Sequence, residues 1–340
     1  MEIALIKGDG IGPEITNEVI RILDSAGVGL NYREVIVGER IYLKGNNLGI
    51  DQAGIENLKQ TPIILKAPSV IPLGGGYRPI IETLKKELDF HSVFSIHQSY
   101  YPIIENSPKR MNIVNIYPQK EDLYVSCMGS SMKSTIEEMM LKTCSFAIKY
   151  AYEKKLSKVT CFVKDTESKT SGQLLYDKFL ESSKLYQDFM IEHYDLSIGL
   201  AHFAVRPEVF DVILNENLFG DIFSNMALEM TRTGGLSSYA NIGEKYAMFQ
   251  PFHGANPRMT GKNTANPTAL LNAAILMLDY INMSDKAALI KNALLATLEA
   301  GYHTKDLYQE GRSKANLGTK EFANSIIDRL GQKPSILELV

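Results

Sequence analysis

The sequence has few cysteines, little excess of one charge and no long hydrophobic run, and each shortage excludes a class of protein. Its cysteines, Cys127, Cys144 and Cys161, are three in number and widely spaced. They fit neither a disulfide framework nor a zinc site and suggest a reducing compartment. No uninterrupted apolar run reaches the roughly 18 residues needed to span a bilayer. We therefore expect neither a disulfide-rich secreted protein nor a membrane protein.

The charge is nearly balanced, with a net charge of −3 from 36 basic and 39 acidic residues. The Lys and Arg residues are scattered and form no basic stripe interleaved with aromatics, so we expect no nucleic-acid partner. A length of 340 residues allows two domains, or one large α/β unit with an insertion. The start, MEIALIKGDGIGPEI, lacks a signal-peptide pattern. We expect a cytoplasmic protein, or a mitochondrial-matrix protein if a transit peptide has been removed.

Strand-like and helix-like segments alternate along the chain. The runs EIALIKG, TPIILKAP, NIVNIYP, KVTCFVK and FDVILNE predict strands. Apolar residues at helical spacing begin after Pro13 and stop at Gly27. Near the C-terminus, NPTALLNAAILMLDYI and DKAALIKNALLATLEAG predict two packed helices, the second ended by Gly301. The alternation predicts an α/β fold with a mostly parallel sheet.

Two glycine-rich segments invite a nucleotide-binding interpretation. The glycines of GDGIG lack the G-x-G-x-x-G spacing of the dinucleotide fingerprint, so we interpret the segment as a tight strand-to-helix turn. The second segment, PLGGGYR at residues 72–78, permits a close backbone approach to a ligand, but a flexible loop is the simpler interpretation. The loop at residues 249–267, FQPFHGANPRMTGKNTANP, is more specific, because it offers a ring, backbone N–H groups and amide edges to an adenine.

The segment NENLFGDIFSNMALEM, residues 215–230, resembles the rim of a divalent-metal site. Asp221 and Asn225 stand one helical turn apart, so carboxylates at both positions would converge on one cation. Asn225 brings a neutral amide instead. The pattern predicts a metal site that has lost one charged ligand.

Taken together, these motifs resemble the isocitrate/isopropylmalate dehydrogenases, which are metal-dependent β-decarboxylating oxidoreductases. The resemblance runs from IKGDGIGPEI through EDLY, NLFGDI and ANIG to HGANPRMTGKNTANP and TKDL. The motif ANIG looks more like the NAD-linked isocitrate branch, which serves the tricarboxylic acid cycle. The resemblance implies two domains: a large, nucleotide-side domain of residues 1–99 plus 246–340, and a small domain of residues 100–245 with dimer-forming elements. It also implies a homodimer or a higher oligomer with active sites shared between subunits.

The resemblance assigns the proton-handling pair of the family to Tyr124 and Lys164. In the family, Mg²⁺ or Mn²⁺ holds the hydroxyl and carboxylate of a 2-hydroxy acid while a hydride passes to NAD or NADP. A packed tyrosine ring and a commonplace surface lysine are the alternatives for these two residues.

The ligand sets of the family are incomplete in this sequence. Of three metal aspartates, Asp221 is kept, Asn225 replaces the second and Ser197 the third. Asp195 could substitute for the third only if the local register slips. A Mg²⁺ or Mn²⁺ site is therefore expected to be weakened.

The substrate clamp is depleted in the same way. By this clamp we mean the three arginines that, in the family, bind the substrate carboxylates through bidentate contacts. The corresponding residues here are Lys85, Ser95 and Tyr117. Lys85 can place a charge without the planar two-pronged contact, whereas a serine and a tyrosine carry no positive charge at neutral pH. Arg78 could compensate, although it stands at no motif position.

The residues that the resemblance assigns to nucleotide binding are better preserved than those of the metal site and the clamp. The assigned residues are Pro72, Leu73, His253, Gly254, Asn256, Arg258 and Asn266. Arg258 stands where NAD-linked relatives carry an aspartate that accepts from the ribose diol. A cation there would prefer the 2′-phosphate of NADP, and a solvated arginine is the alternative. The expected ligand is NAD, NADP or an adenine nucleotide that acts as an effector.

Three hypotheses follow. The first is a catalytically impaired, nucleotide-binding paralogue or regulatory subunit. The second is an active NAD(P)-dependent dehydrogenase that acts on isocitrate or on an altered 2-hydroxy acid. The third is a scaffold that only assembles with an intact family member. Loss of the clamp and metal ligands beside a kept adenosine loop favours the first.

Overall fold

The computed structural model of the protein describes residues 1–70, 79–104, 107–108, 110–120, 130–164, 171–186 and 188–334, without the side chains of 130–133. The strands in these ranges are β1 (Glu2–Ile6), β2 (Asn31–Glu34), β3 (Ile63–Lys66), β4 (Phe90–Gln98), β5 (Asn112–Pro118), β6 (Lys158–Val163), β7 (Met190–Asp195), β8 (Val212–Asn215), β9 (Ser238–Gly243), β10 (Ala247–Pro251), β11 (Tyr302–Thr304) and β12 (Ala315–Leu317). The α-helices are α1 (Gly12–Ser25), α2 (Glu39–Tyr42), α3 (Gln52–Gln60), α4 (Ile80–Leu88), α5 (Ser130–Glu153), α6 (Ser171–Ser183), α7 (Leu196–Val205), α8 (Asn217–Thr231), α9 (Thr268–Tyr280), α10 (Ser284–Glu299) and α11 (Thr319–Ile327). Among the described residues, no helix combines the length and the apolar character that a membrane span requires.

The segment GDGIG forms the tight turn between β1 and α1. Gly8 has a φ of +63°, and a Cβ placed on it would lie 2.0 Å from the carbonyl oxygen of Pro68. Only glycine fits a left-handed conformation with so close a neighbouring backbone. The predicted turn is confirmed, and the helix that follows buries Ile15, Val19 and Ile22 as its apolar spacing indicated.

The first compact unit comprises residues 1–89, 234–240 and 245–340. Within it β2, β1, β3 and β10 lie side by side and all pair in parallel. Strand β3 is buried along its whole length, as expected for a parallel strand covered on both faces. Because β3 and β10 are parallel, the loops that follow them leave the same edge of the sheet. The candidate nucleotide loop starts at that edge.

The second compact unit comprises residues 90–233 and 241–244. Strand β4 runs antiparallel to β5, and β5, β8, β6 and β7 continue in parallel. The sequence prediction placed residues 90–99 in the first domain and residues 234–240 in the second. In the structure β4 pairs with β5 from Ser92 opposite Pro118 to Gln98 opposite Asn112. This ladder ties residues 90–98 to the second unit, and residues 234–240 group with the first.

Candidate functional site

Lys164 lies directly after β6 and is fixed at both its backbone and its tip. Its backbone N–H donates to Glu216 Oε1 over 2.8 Å, and the fully buried Glu216 also accepts from the Ser171 hydroxyl at 2.8 Å. Its ammonium donates to Ser197 Oγ over 3.0 Å and lies 3.5 Å from Asp195 Oδ2. The lysine is therefore held against a carboxylate and a hydroxyl at the start of α7.

Asp195 is the N-cap of α7, where its carboxylate accepts from the Ser197 N–H over 2.9 Å. Desolvation raises the pKa of Asp195, but the Ser197 N–H and the Lys164 ammonium lower it more, so the net shift is downward. The carboxylate is therefore kept ionised beside Lys164. Sequence reasoning considered Asp195 only as a substitute metal ligand and missed its ion pair with Lys164.

Asp221 and Asn225 lie one turn apart on α8, so they share a face as the spacing predicted, and both side chains are exposed. The Asn225 side-chain amide donates to the backbone carbonyl of Asp221 over 2.9 Å. Across the described part of the chain, no group of three or more His, Cys, Asp or Glu side chains is placed to hold a metal ion. At the two family metal positions on α8 the chain thus offers one carboxylate, Asp221, and one amide oxygen, Asn225, a weak set for Mg²⁺.

Two of the positions expected to carry clamp arginines are enclosed in the second unit. Ser95 is completely buried, and its hydroxyl lies 3.0 Å from His97 Nε2. Burial lowers the pKa of His97 to about 3, so this ring is neutral. Tyr117 is buried with its ring against Gly220 of α8. Neither position supplies a positive charge.

The third clamp position, Lys85, lies on α4 in the first unit. Its ammonium lies 3.5 Å from Glu82 one turn earlier, and its side chain is about a third exposed. The pair is a partly exposed i,i+3 ion pair of the kind common on helix surfaces. Lys85 keeps the charge that the sequence indicated, and it already has a carboxylate partner.

A buried amide network that sequence reasoning missed lies beside Tyr117. Asn115 donates from its side-chain amide to the Gly220 carbonyl and to Ser224 Oγ, each at 2.8 Å. Asn215 donates to Asn115 Oδ1 over 2.8 Å. The side chains of Asn115, Asn215 and Ser224 are fully buried. The network therefore joins β5, β8 and α8 through neutral groups.

We expect Gly220→Ala to destabilise the second unit. A Cβ on Gly220 would lie 2.3 Å from Tyr117 Cγ, so the buried ring or α8 has to shift, at a cost of about 1–3 kcal/mol. Chemical denaturation of the two proteins measures the difference. Gly234→Ala is the matched control, because its Cβ would meet no atom within 4 Å. Equal unfolding midpoints for both variants would show that Tyr117 is not locked against the helix.

In the first unit, Asn266 is engaged at both ends of its amide. Its Oδ1 accepts from the Thr268 N–H over 2.9 Å and its Nδ2 donates to Asp306 Oδ2 over 2.9 Å. Thr304 donates to the other oxygen of Asp306 over 2.6 Å. These contacts connect the loop before α9 to the segment TKDL, which begins at the last residue of β11. The predicted nucleotide residue is thus part of a hydrogen-bonded polar cluster.

Most other residues of the candidate nucleotide loop are exposed or half-buried. His253 Nδ1 lies 3.1 Å from the Gly254 carbonyl. Burial lowers the pKa of His253, against the opposing effects of that carbonyl and of Asp306. The ring is therefore neutral near pH 7. Asn256 adopts a left-handed φ of 37°, and Arg258 is exposed to solvent beyond it.

A buried cation that sequence reasoning missed lies at the carboxyl end of β3. Lys66 is 5% exposed, and its ammonium lies 3.3 Å from the Ala67 carbonyl. Burial lowers the pKa of Lys66 to about 8, against the attraction of Asp9. Nothing in TPIILKAP marks this lysine as buried, because a lysine at a strand end is commonly solvated.

Four of the predicted site residues, Pro72, Leu73, Arg78 and Tyr124, lie outside the described residues. Of the remaining predictions, the structure brings Lys164 and Asp195 into contact and places Asp221 next to Asn225. It places His253, Gly254, Asn256, Arg258 and Asn266 along one loop of the first unit.

Three comparisons with known proteins, by family model, by sequence and by structure, each match almost the whole chain. The family model for isocitrate/isopropylmalate dehydrogenase matches residues 2–326. The NADP isocitrate dehydrogenase of Rickettsia bellii is 40% identical over 342 residues, which cover 98% of this chain and 71% of that protein. A mitochondrial NAD isocitrate dehydrogenase regulatory subunit from Dictyostelium discoideum is 31% identical, over 97% of this chain and 93% of that protein. The crystal structure of isocitrate dehydrogenase from Methylococcus capsulatus superposes with a TM-score of 0.85 at 27% identity, covering 97% of this chain and 99% of that one. The chain therefore belongs to the isocitrate/isopropylmalate dehydrogenase family, and the predicted family and α/β fold are confirmed.

Proposed function

We propose that this chain is a nucleotide-binding family member that does not decarboxylate isocitrate efficiently and serves as a regulatory or non-catalytic subunit. The observation that carries the proposal is the burial of Ser95 and Tyr117 at two clamp positions. At these two positions the chain has a buried neutral hydroxyl and a packed ring, where bidentate cations are needed to hold a tricarboxylate.

The first unit supports nucleotide binding. Asn266 is held by Thr268 and Asp306, so the orientation of this amide at the end of the loop does not depend on a ligand. Arg258 is exposed and can meet an anionic group such as the 2′-phosphate of NADP. The neutral His253 ring offers a flat face on the same loop. We therefore assign NADP, NAD or an adenine nucleotide to this unit.

Two exposed apolar stripes support an oligomer. On α7, Ile198 is 52% and Val205 78% exposed; on α8, Leu218 is 41% and Ile222 51% exposed. Apolar residues at helical spacing on an exposed face are typical of an interface between protein chains. The partner is a second copy of this chain or an intact family member, in keeping with the relative that is a regulatory subunit. Two measurements distinguish these partners. Co-purification with an intact homologue indicates a hetero-oligomer, whereas self-association of the isolated chain indicates a homo-oligomer.

Calorimetric titration with NAD, NADP, AMP and ADP tests the nucleotide assignment. We expect saturable binding of at least one of these nucleotides. Asn266→Ala should weaken that binding about 5- to 100-fold, because it removes a hydrogen-bonded amide whose contribution to the binding free energy is about 1–3 kcal/mol. Asn324→Ala is the matched control, since Asn324 is an exposed amide of the same unit that accepts from Arg21 on the surface. Absence of binding by the wild-type chain would refute the assignment and favour the scaffold hypothesis.

A second candidate function is an active NAD(P)-dependent dehydrogenase with an altered acid substrate. It is favoured by the ordered Lys164, which contacts Ser197 and Asp195, and by the 40% identity to an NADP isocitrate dehydrogenase. A panel of 2-hydroxy acids with Mn²⁺ and either cofactor tests it on the protein purified alone. Turnover of any of these acids would establish it, and no turnover would eliminate it.

A further inference from the structure

An exposed apolar and aromatic surface lies in the second unit, where the end of α5 contacts the segment between α6 and β7. On α5, Tyr152 is 58% exposed, while Leu185 is 82% and Met190 56% exposed. The centroid of the Tyr152 ring lies 5.0 Å from that of Tyr186 and 6.4 Å from that of Phe189. Leu185 and Met190 are the chain neighbours of these two rings. We call these five side chains the α5–β7 patch.

The patch is carried by hydrogen-bonded helix ends. Tyr152 lies in the last turn of α5, and its carbonyl accepts from the Lys155 N–H over 3.1 Å where the helix stops. The hydroxyls of Ser145 on α5 and Ser182 on α6 lie 3.0 Å apart and connect the two helices. Large apolar and aromatic side chains that are contiguous and exposed are typical of a protein interaction site.

Uncompensated positive charge surrounds the patch. Lys154 and Lys155 follow α5, Lys184 precedes the apolar residues of the next segment, and all three side chains are exposed. In the ranges that the structure describes, none of these three ammonium groups forms an ion pair. A surface that is apolar at its centre and basic at its border is complementary to an acidic partner with apolar residues of its own.

We propose that the α5–β7 patch binds an acidic segment of another protein, whose apolar side chains cover the patch and whose carboxylates pair with Lys154, Lys155 and Lys184. This inference goes beyond the proposed function, because it requires neither a nucleotide nor the stripes on α7 and α8. A second copy of this chain fits the patch poorly, since a two-fold contact would bring two sets of lysines together.

A protein segment also fits the patch better than an anionic lipid surface does. Glu153 is 62% exposed, and Asp188 is exposed between the apolar residues Leu185 and Met190. A uniformly anionic surface would repel both carboxylates. A protein segment can place a donor or a cation opposite each of them and carboxylates opposite the lysines.

Fluorescence anisotropy with two labelled peptides tests the proposal on the full chain. The first probe is a short helical peptide of leucine and glutamate with its leucines at helical spacing, and the second carries lysine in place of glutamate. We expect saturable binding of the glutamate peptide and at least about tenfold weaker binding of the lysine peptide. No saturable binding of the glutamate peptide, or equal binding of both peptides, would overturn the proposal.

Leu185→Ser should weaken binding of the glutamate peptide at least about tenfold, because a leucine that the peptide buries is lost. Leu43→Ser is the matched control, since Leu43 is 76% exposed in the first unit. Both leucines are exposed, so we expect both variants to unfold at the same urea concentration as the wild type. An equal loss of binding in the two variants would show that the peptide does not occupy the α5–β7 patch.

The charge of the border and the identity of the occupant have their own measurements. Lys154→Gln combined with Lys184→Gln should weaken binding of the glutamate peptide and reduce its dependence on salt, whereas Lys320→Gln, an exposed lysine of the first unit, should change neither. Unchanged binding by the double variant would contradict the charge pairing. Vesicles of phosphatidylcholine and phosphatidylserine, and sedimentation velocity of the chain alone, test the other occupants. Vesicle binding or self-association that Leu185→Ser abolishes would overturn the proposal in favour of a membrane or of a second copy.

Discussion

With isocitrate, Mn²⁺ and either NAD or NADP, the isolated chain is expected to turn over at least about a thousandfold more slowly than an intact family member, as judged by kcat/KM. The physical reason is that the three clamp positions no longer provide the arginine contacts that bind the substrate carboxylates. Each charge-assisted contact contributes about 1.5–3 kcal/mol, so three weakened contacts correspond to a loss of about 4–9 kcal/mol. Neighbouring contacts are not additive, so the lower end of this range is the working figure.

The measurement is the initial rate of NAD(P)H formation followed by absorbance, with an intact NADP isocitrate dehydrogenase assayed in parallel. Lys85 is the one clamp position that keeps a cation, and it is paired with Glu82. Substituting Lys85→Met should therefore change the residual rate little. A wild-type rate comparable to that of the intact enzyme would contradict the interpretation of Ser95 and Tyr117 as a lost clamp.

Replacing Lys66 by methionine is expected to stabilise the protein by about 3 kcal/mol near pH 7. Lys66 titrates near 8 in the folded chain, whereas its ordinary pKa is 10.5, because burial disfavours the charged form. At pH values below 8 the lysine is charged in both the folded and the unfolded states, so folding carries the full cost of burying the ammonium. Methionine removes this cost while it fills a similar volume.

The sign of the pH dependence follows from proton binding. Between about pH 8 and pH 10.5 the unfolded chain keeps a proton that folded Lys66 has lost, so wild-type stability rises with pH in this window. The difference between Lys66→Met and the wild type should therefore shrink as the pH rises from 8 to 10.5.

Urea denaturation at several pH values measures the difference in unfolding free energy between Lys66→Met and the wild type. The effects of all other titrating groups are common to both proteins and cancel in this difference. Lys59→Met is the control, because the Lys59 ammonium is exposed and paired with Glu87 at 2.8 Å, and it should gain no stability. A difference for Lys66→Met that does not change with pH would show that Lys66 is not a buried cation.

The periodic elements of the fold were predictable from local sequence. The apolar spacing after Pro13 gave the buried face of α1, and the short apolar runs gave β1, β3, β5, β6 and β8. In these segments the local pattern and the tertiary burial agree. The antiparallel β4 was not foreseen, because FHSVFSIHQ carries polar residues that the structure buries in pairs such as Ser95 and His97.

The candidate site was predictable only in part. Motif positions singled out Lys164 and Asp221 as candidates, since these residues lie in recognisable local segments. The contacts of Glu216 with Lys164 and of Asn215 with Asn115 join residues 52 and 100 positions apart. No local pattern encodes such pairs, because they depend on which strands become neighbours. The burial of Lys66 was missed for the same reason.

Calorimetric titration of isocitrate into the wild-type chain in the presence of Mn²⁺ tests the central claim most directly, because it measures binding without requiring turnover. The loss of clamp cations at Ser95 and Tyr117, with Lys164 held by Ser197 and Asp195, predicts no saturable heat even at millimolar isocitrate. Tight one-to-one binding of isocitrate that requires Mn²⁺ and is abolished by Asp221→Asn would contradict it.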